Sequence, residues 1–263
     1  MPHLSALQYT LAILSGGLVG FTLGLLGGGG SILAVPLLLY LVGMHDPHVV
    51  IGSTALAVSL NAYANLLAHA RAKHVLWKPA VGFTVPGIVG AYVGSVLGKL
   101  MPDKQLLFLF AILMIVIAIL MLRKKRAQSA QEFQKANVRW TRITSAGLIV
   151  GFLSGFFGIG GGFLIVPGLM FSTGMSMIMA IGTSLFAVGT FGLTTAVSYA
   201  ASGLVDWWVV LCYVAGGIIG GGIGSIAATK LSTKRRALNY IFSVIIFIVA
   251  IYMVIENWRA IHG

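Results

Sequence analysis

The sequence predicts an all-α polytopic membrane protein made of two inverted-topology repeats, each a glycine-broken helical hairpin followed by three transmembrane helices. Three observations predict this fold: the scarcity of charged residues, an internal repeat, and the placement of Lys and Arg in the loops. Of the 263 residues, 58% are hydrophobic and only 8% are charged, whereas a soluble domain carries about 25% charged residues. Charge-free stretches of roughly 18 residues or more, the length of a membrane span, recur along the chain.

The internal repeat relates the two halves of the chain. Residues 16–44 and 147–175 share seven glycines, a proline and a methionine at a constant offset of 131 positions, which becomes 130 further on. The later matches pair Gly52, Trp77, Gly87 and Gly94 with Gly182, Trp207, Gly217 and Gly224. Because the matches run along both halves, we predict a first transmembrane repeat at 1–122, a basic cytoplasmic linker at 123–142 and a second transmembrane repeat at 143–263.

Each repeat opens with an apolar unit that glycines interrupt, at residues 8–44 and 143–175. As one helix such a unit would be about 50 Å long, whereas the hydrocarbon core of a bilayer is about 30 Å thick. The consecutive glycines at 27–30 also disfavour a continuous helix. We therefore predict a helix, a glycine break and a shorter helix that returns as a hairpin. Three uninterrupted spans follow in each repeat: 48–70, 78–99 and 104–122, then 178–200, 208–229 and 237–256.

The basic residues change place between equivalent loops. The loop at 71–78 holds three of them and its equivalent at 201–208 holds none, whereas the loop at 229–236 holds four and its equivalent at 99–104 holds two beside an aspartate. Because Lys and Arg collect in cytoplasmic loops, we predict that the repeats lie inverted in the membrane with both termini outside. In this orientation 14 of the 17 Lys and Arg face the cytoplasm, so the net charge of +12 reports topology rather than nucleic-acid binding.

Backbone groups at the two glycine breaks, residues 27–31 and 158–162, are candidates for binding an anion. Transporters with inverted repeats place substrate near the bilayer midplane, at discontinuous helices. The first N–H groups of the helix after each break lack a helical partner and carry partial positive charge, so two converging ends would hold a small anion. The substrate-binding residues predicted here are Gly28, Gly29, Gly30, Ser31, Gly160, Gly161 and Gly162. The alternative is that the glycines only allow close helix crossing.

A stripe of polar side chains runs along the span that follows each break. In the first repeat it consists of Thr54, Asn61, Asn65 and His69, which share one helix face. The equivalent positions are Ser184, Phe191, Thr195 and Tyr199. Polar residues at membrane depth line a substrate path or join neighbouring helices, and both interpretations remain open. We predict substrate contacts from Ser53, Thr54, Asn61, Asn65, Thr183, Ser184 and Thr195, and we place His69 at the interface near the inner end of its span.

Apart from Glu256 at the outer end of the last span, the spans contain no acidic residue, which disfavours a cation carrier or a carboxylate proton relay. We predict no catalytic residue, no metal site and no cofactor, so the protein is not expected to be an enzyme. His45, Asp46 and His48 lie in a short outer loop where solvated side chains are the rule, and Cys212 is expected to pack in an apolar span. The basic linker is expected to contact anionic lipid headgroups rather than nucleic acid.

The element GLVGFTLGLLGGGGSILAVPLLL, repeated as GLIVGFLSGFFGIGGGFLIVPGLM, resembles the sulfite exporter TauE/SafE family of anion permeases. The IGST at residues 51–54 and the IGTS at 181–184 are similar to that family's next segment. The resemblance implies a bacterial or archaeal cytoplasmic-membrane permease for small sulfur-containing anions or organic acids. Ser31 stands where the second repeat has Gly162, so the two half-sites differ.

We therefore expect a transporter that moves a small inorganic or organic sulfur anion by alternating access. Two alternatives remain open on the same residues: an uncoupled anion channel, and a membrane assembly subunit that transports nothing. The expected partners are the anion and the lipid bilayer, with homo-oligomer formation left open.

Overall fold

The computed structural model describes residues 4–122, 140–158, 162–230 and 235–262, and the regular elements in these ranges are all helical. The first repeat contains α1 (Ala6–Leu26), a 3₁₀ segment (Gly27–Leu33), α2 (Ala34–Pro36), a π-helical turn (Leu37–Leu41), α3 (Pro47–Arg71), α4 (Trp77–Leu100) and α5 (Asp103–Leu122). The second contains α6 (Trp140–Phe157), α7 (Gly162–Thr173), α8 (Met177–Ala200), α9 (Trp207–Lys230) and α10 (Arg235–His262). The six uninterrupted spans predicted from the sequence all correspond to helices. Residues 123–139 of the predicted linker lie outside the described residues, and its last three residues belong to α6.

The outer surface of the bundle suits a lipid environment. In the described part of the chain, five helices are long and apolar enough to cross a membrane: α1, α3, α4, α8 and α9. Exposed tryptophans mark the starts of three helices, with Trp77 on α4, Trp140 on α6, and Trp207 and Trp208 on α9. Tryptophan is enriched where a membrane meets water, because its ring is apolar and its N–H is polar. The chain is therefore a multi-pass membrane protein.

The first repeat contains both the break and the return that the sequence predicts. Helix α1 ends at Leu26, and Gly27 follows with a φ of +71°, a left-handed conformation that glycine adopts without strain. The chain then runs back, because Gln8 Nε2 near the start of α1 donates to the carbonyl oxygen of Val42 at 3.0 Å. We call residues 27–41 the first return limb. It changes from 3₁₀ through α to π geometry, so it is less regular than the predicted short helix.

The second repeat turns in the same way. Gly158, with a φ of +64°, follows α6 and is the equivalent of Gly27. Helix α7 is the second return limb and, unlike the first, is α-helical throughout. It packs back on α6, where a side chain at Gly168 would come 3.6 Å from Val150 Cγ2. We call Gly27 and Gly158 the hinge glycines.

The first helix of each repeat packs along a helix of the other repeat. Both crossings consist of small residues spaced four apart, which lets the two backbones touch. In the α1–α9 crossing the facing pairs are Gly16 with Tyr213, Gly20 with Gly217, and Gly24 with Gly221. In the α6–α4 crossing they are Gly147 with Phe83, Gly151 with Gly87, and Gly155 with Ala91. The numbers rise together in each crossing, so the paired helices run parallel and the two crossings are equivalent.

Helices α3 and α8, which hold equivalent places in the two repeats, pack against each other in opposite directions. A side-chain carbon at Gly52, early in α3, would lie 2.9 Å from Cβ of Tyr199, late in α8. Further along α3, the Tyr63 hydroxyl lies 3.0 Å from Thr190 Oγ1. Just beyond the end of α3, the carbonyl of His74 contacts Gly182 near the start of α8. This antiparallel pair forms the centre of the bundle.

Candidate functional site

Each hinge glycine lies against the central helix of the opposite repeat. A side-chain carbon at Gly27 would come 3.0 Å from Ser184 Oγ and 3.1 Å from Ile181 Cα, both on α8. A side chain at Gly158 would collide with Ile51 on α3, the residue equivalent to Ile181. The two breaks are therefore built into the α3–α8 pair from opposite sides.

The hinge glycines themselves do not meet at one depth. Gly24, three residues before the first hinge, touches Asn65 on α3, whereas the second hinge touches Ile51. Fourteen residues of helix separate these two contacts, which corresponds to about 21 Å along the axis. The reason lies in α1, whose 21 residues span about 31 Å, nearly a full membrane crossing, before the chain turns.

The return limbs converge instead of the hinges. From opposite ends of the α3–α8 pair they run back toward the middle of the bundle, where the 3₁₀ segment Gly27–Leu33 packs against α7. Gly28, Gly29, Gly30 and Ser31 all lie in this segment. Gly30 faces Thr22 and Leu23 of α1 so closely that a side chain there would collide. Gly162 is the first residue of α7, and the predicted Gly160 and Gly161 lie outside the described residues.

Two of the predicted hydroxyls bind backbone in the opposite repeat. Ser53 Oγ accepts a hydrogen bond from the N–H of Asp206 at 2.8 Å, just before α9. Thr183 Oγ1, the equivalent atom, accepts one from the N–H of Leu76 at 3.0 Å, just before α4. These bonds hold the loops that lead into α9 and α4 on the central helices.

Two more predicted hydroxyls donate within their own helices. Thr54 Oγ1 donates to the carbonyl of Val50 at 2.8 Å, and Ser184 Oγ donates to that of Ile181 at 2.8 Å. Their hydrogens are thus engaged by the backbone, a common arrangement for Ser and Thr in apolar helices. The geometry therefore gives these two side chains a local structural role.

Two other predicted side chains, Asn61 and Thr195, have unused hydrogen-bonding capacity in the middle of the bundle. Asn65 Nδ2 donates to the backbone carbonyl of Asn61 at 2.9 Å. The side-chain amide of Asn61 is different, because neither its Nδ2 nor its Oδ1 has a hydrogen-bond partner among the described residues. Thr195 Oγ1 likewise finds none there. Asn61 and Thr195 are both 0% exposed. A buried polar group without a partner lowers stability, so such groups point to a missing ligand or water.

His69, which the sequence places at the membrane interface near the inner end of its span, is buried within the protein. It is 3% exposed, and Nε2 lies 3.2 Å from the carbonyl oxygen of Gly24 on α1. Its ring centroid is 5.9 Å from that of His74. The face that His69 shares with Asn65 explains the burial, because that face meets the end of α1 rather than solvent.

Sequence reasoning missed two buried tyrosines. Tyr199 on α8 and Tyr213 on α9 are 0% exposed, and their hydroxyls have no partner among the described residues. Tyr199 was recognised only as the equivalent of His69. Tyr213 is equivalent to Phe83. The alignment of the two repeats therefore contained one signal, a phenol in the second repeat at a position where the first repeat has a phenyl ring.

A polar cluster joins three elements near the end of α8. His48 Nδ1 on α3 contacts the Asp103 carboxylate at the start of α5. Lys99 Nζ on α4 donates to the Ser198 carbonyl at 2.8 Å and lies 5.7 Å from the Tyr199 ring centroid. The sequence places these charged residues in outer loops, and the structure adds that His48 and Asp103 link α3 to α5 while Lys99 links α4 to α8.

Membrane-length helices around a neutral polar centre define the class of this chain, a multi-pass membrane protein. Residues 12–253 match the profile of the family described as Sulfite exporter TauE/SafE. A "Probable membrane transporter protein" of Xylella fastidiosa strain 9a5c is 52% identical over 94% of this chain and 95% of its own length. The "Probable membrane transporter protein YunE" of Bacillus subtilis strain 168 is 29% identical over 92% of this chain and 96% of its own.

A third relative, a "Probable membrane transporter protein" of Haemophilus influenzae strain Rd, is 31% identical over 73% of this chain and 74% of its own length. The chain belongs to the sulfite exporter TauE/SafE family, and it is a membrane transporter. No solved structure matches it significantly.

Proposed function

We propose that the protein is an alternating-access permease that carries a small sulfur-containing oxyanion, such as sulfite or an organosulfonate, across the cytoplasmic membrane of a bacterium or archaeon. The observation that carries this proposal is the set of neutral, unpartnered polar groups at Asn61 and Thr195, buried in the middle of the bundle. Neither α3 nor α8 contains an acidic residue that would repel an anion. The family match supports the substrate class, because the family is that of the sulfite exporter TauE/SafE.

The chemistry of such a site is that of neutral hydrogen-bond donors in a medium of low polarity. N–H and O–H groups bind an oxyanion strongly there, because little water competes for them. The start of α7 at Gly162 adds N–H groups that its own helix leaves unpaired, together with the positive end of the helix dipole. The first return limb, which packs against α7, brings Ser31 and its neighbouring N–H groups to the same region.

An inverted arrangement of the repeats would supply the two access states. The antiparallel packing of α3 and α8 supports inversion, because equivalent helices point to opposite sides of the membrane in that case. The crossings of α1 on α9 and of α6 on α4 support it as well, since each joins the two repeats in the same way. Rocking of one repeat against the other would then expose the central groups to either side, with both termini outside.

Flux measurements in proteoliposomes test the proposal. We expect saturable uptake of radiolabelled sulfite and its acceleration by sulfite preloaded inside the vesicles, and competition by sulfoacetate would extend the substrate class to organosulfonates. Thr195→Val keeps the side-chain volume but removes the hydroxyl, so it should raise the half-saturating sulfite concentration. Gly29→Val and Gly160→Val should abolish flux while the protein stays in the membrane, and Gly222→Val, at a position with nothing within 4 Å, is the control.

The alternatives have different results in the same experiment. Flux that does not saturate and shows no counterflow would make the protein an anion channel. Absence of flux, together with no anion-induced rise in unfolding temperature, would favour the alternative that the protein is a membrane assembly subunit that transports nothing. Unchanged flux in both glycine variants would overturn the assignment of the breaks.

A further inference from the structure

The two equivalent interfaces of the bundle differ at one pair of positions. In the α8–α4 interface, the rings of Phe191 and Phe83 stack with centroids 6.2 Å apart and planes 28° from parallel. Their equivalents in the α3–α9 interface are Asn61 and Tyr213. One interface is therefore closed by two apolar rings, and the other contains an amide and a phenol.

The polar pair lies in one place in the bundle. The Asn61 amide is so close to Gly217 of α9 that a side chain there would collide with it. Tyr213 precedes Gly217 by four residues, so it lies on the same face of α9 one turn earlier. The backbone of Tyr213 is in turn packed against Gly16 of α1. The two side chains thus share the interior formed by α1, α3 and α9.

Nothing in the described residues satisfies this pair. The Asn61 Nδ2 and Oδ1 atoms and the Tyr213 hydroxyl are buried without a hydrogen-bond partner, and both residues are 0% exposed. Phenylalanine in their place, as in the equivalent interface, would remove this cost without loss of packing. A protein that keeps such groups sacrifices stability, which a functional site can require.

We infer that the oxyanion is held asymmetrically: between α3 and α9 the Asn61 amide and the Tyr213 phenol donate to its oxygens, whereas the equivalent space between Phe83 and Phe191 binds no anion. This inference rests on the proposed function and makes it more specific, because it reduces two equivalent half-sites to a single asymmetric one. It also adds Tyr213 to the residues that contact substrate.

The same groups select the protonation state of the anion. The Asn61 amide offers an acceptor oxygen beside its donor nitrogen, so a ligand that satisfies both must itself carry a hydrogen on oxygen. A protonated monoanion such as hydrogensulfite has this hydrogen, whereas the sulfate dianion, the thiosulfate dianion and the sulfonate group of an organosulfonate lack it, so this site favours hydrogensulfite among the proposed anions. A site built to hydrogen-bond a hydroxyl discriminates strongly against a ligand without one, because its own polar group is then left unpaired.

Two nearly isosteric substitutions test the inference in the reconstituted full chain. Tyr213→Phe removes only the hydroxyl, and Asn61→Leu removes only the amide. Each should raise the half-saturating sulfite concentration at least tenfold and reduce the sulfite-induced rise in unfolding temperature. Without anion, Asn61→Leu should unfold at a higher temperature than the wild type, because it removes an unpaired buried amide. Tyr199→Phe is the matched control, since it removes an equally buried and unpartnered phenol elsewhere; its sulfite affinity should be unchanged.

The outcomes separate this inference from the proposed function. If the wild type neither transports nor binds sulfite, the proposed function fails and the inference with it. If the wild type transports sulfite and both variants keep its affinity, the inference alone is overturned. A lower unfolding temperature for anion-free Asn61→Leu would overturn it as well, since that result marks a structural amide. Competition by sulfate as strong as that by sulfite would contradict the selection of a protonated anion.

Discussion

The Ser53 hydroxyl on α3 accepts a hydrogen bond from the backbone N–H of Asp206, across the boundary between the two repeats, at 2.8 Å. The same bond is made a second time between the equivalent residues Thr183 and Leu76, at 3.0 Å. Both N–H groups lie at the start of a helix, where the helix itself supplies no acceptor. Each central helix therefore fixes the entry of the helix that packs beside it, and the two repeats hold each other through the same contact.

Loss of this contact should lower stability. Ser53→Ala leaves the partly buried N–H of Asp206 without its acceptor, so we expect the free energy of unfolding to fall by about 1 kcal/mol. Thr183→Val should act similarly on Leu76. Thermal unfolding of the purified protein in detergent measures the effect. Thr10→Ala, which removes an exposed hydroxyl bonded to the Ala6 carbonyl, should change little, and a Ser53→Ala protein as stable as the wild type would refute the structural role.

The hinge at Gly158 combines two constraints that substitution can separate. A side chain there has to adopt a positive φ and also overlaps Ile51. Gly203 has a φ of +72° but no described atom within 4 Å of the place a side chain would take, so Gly203→Ala should cost only the backbone strain, about 1–2 kcal/mol. Gly158→Ala adds overpacking of about 1–3 kcal/mol and should also impair flux. Equal losses of stability in the two variants would show that the contact with Ile51 is not tight.

The α1–α9 crossing should be equally sensitive to a single methyl group. A side chain at Gly20 would collide with the backbone of Gly217, so Gly20→Ala forces the two helices apart and should destabilise the protein by about 1–3 kcal/mol. Gly222→Ala on α9 meets nothing within 4 Å and should be neutral or stabilising by up to about 1 kcal/mol, because alanine favours the helix. Unfolding curves of the two variants in the same detergent provide the comparison. A stable Gly20→Ala protein would contradict the close crossing.

The helical architecture follows from local properties of the sequence, and for that reason it could be predicted. The absence of charge from residues 79–98, for example, requires a buried or lipid-facing helix, and α4 covers that stretch. The consecutive glycines at 27–30 disfavour a continuous helix through their own backbone freedom, because glycine has no side chain to restrict it. This effect does not depend on contacts elsewhere in the protein. These inferences need only the chain itself and the thickness of a membrane.

The geometry of the site depends on contacts between the repeats, which one sequence does not reveal. The depth of the hinge at Gly27 depends on how far α1 extends before the turn and on its seat against Ile181. Ser53 and Asn61 are both polar residues of one span, yet one is bonded to a loop and the other is unpartnered. Only the positions of α9, which contacts Asn61, and of the loop before it, which contacts Ser53, distinguish them. The alignment of the two repeats did contain the Tyr213–Phe83 difference. That difference indicates a polar site only once Asn61 is known to lie beside α9, which the sequence does not reveal.

The orientation of the repeats can be tested with one cysteine at a time. Ala72 and Ser202 are equivalent and exposed, in the loops that follow α3 and α8, so inverted repeats place them on opposite sides of the membrane. In a Cys212→Ala background, a membrane-impermeant maleimide should label Ser202→Cys in intact cells and Ala72→Cys only after permeabilisation. The background protein, which has no other cysteine, should stay unlabelled in both conditions. Labelling of both positions from the same side would mean that the repeats are parallel in the membrane. The proposed alternating access would then lose its basis, because it uses the inverted relation of the repeats to supply the two access states.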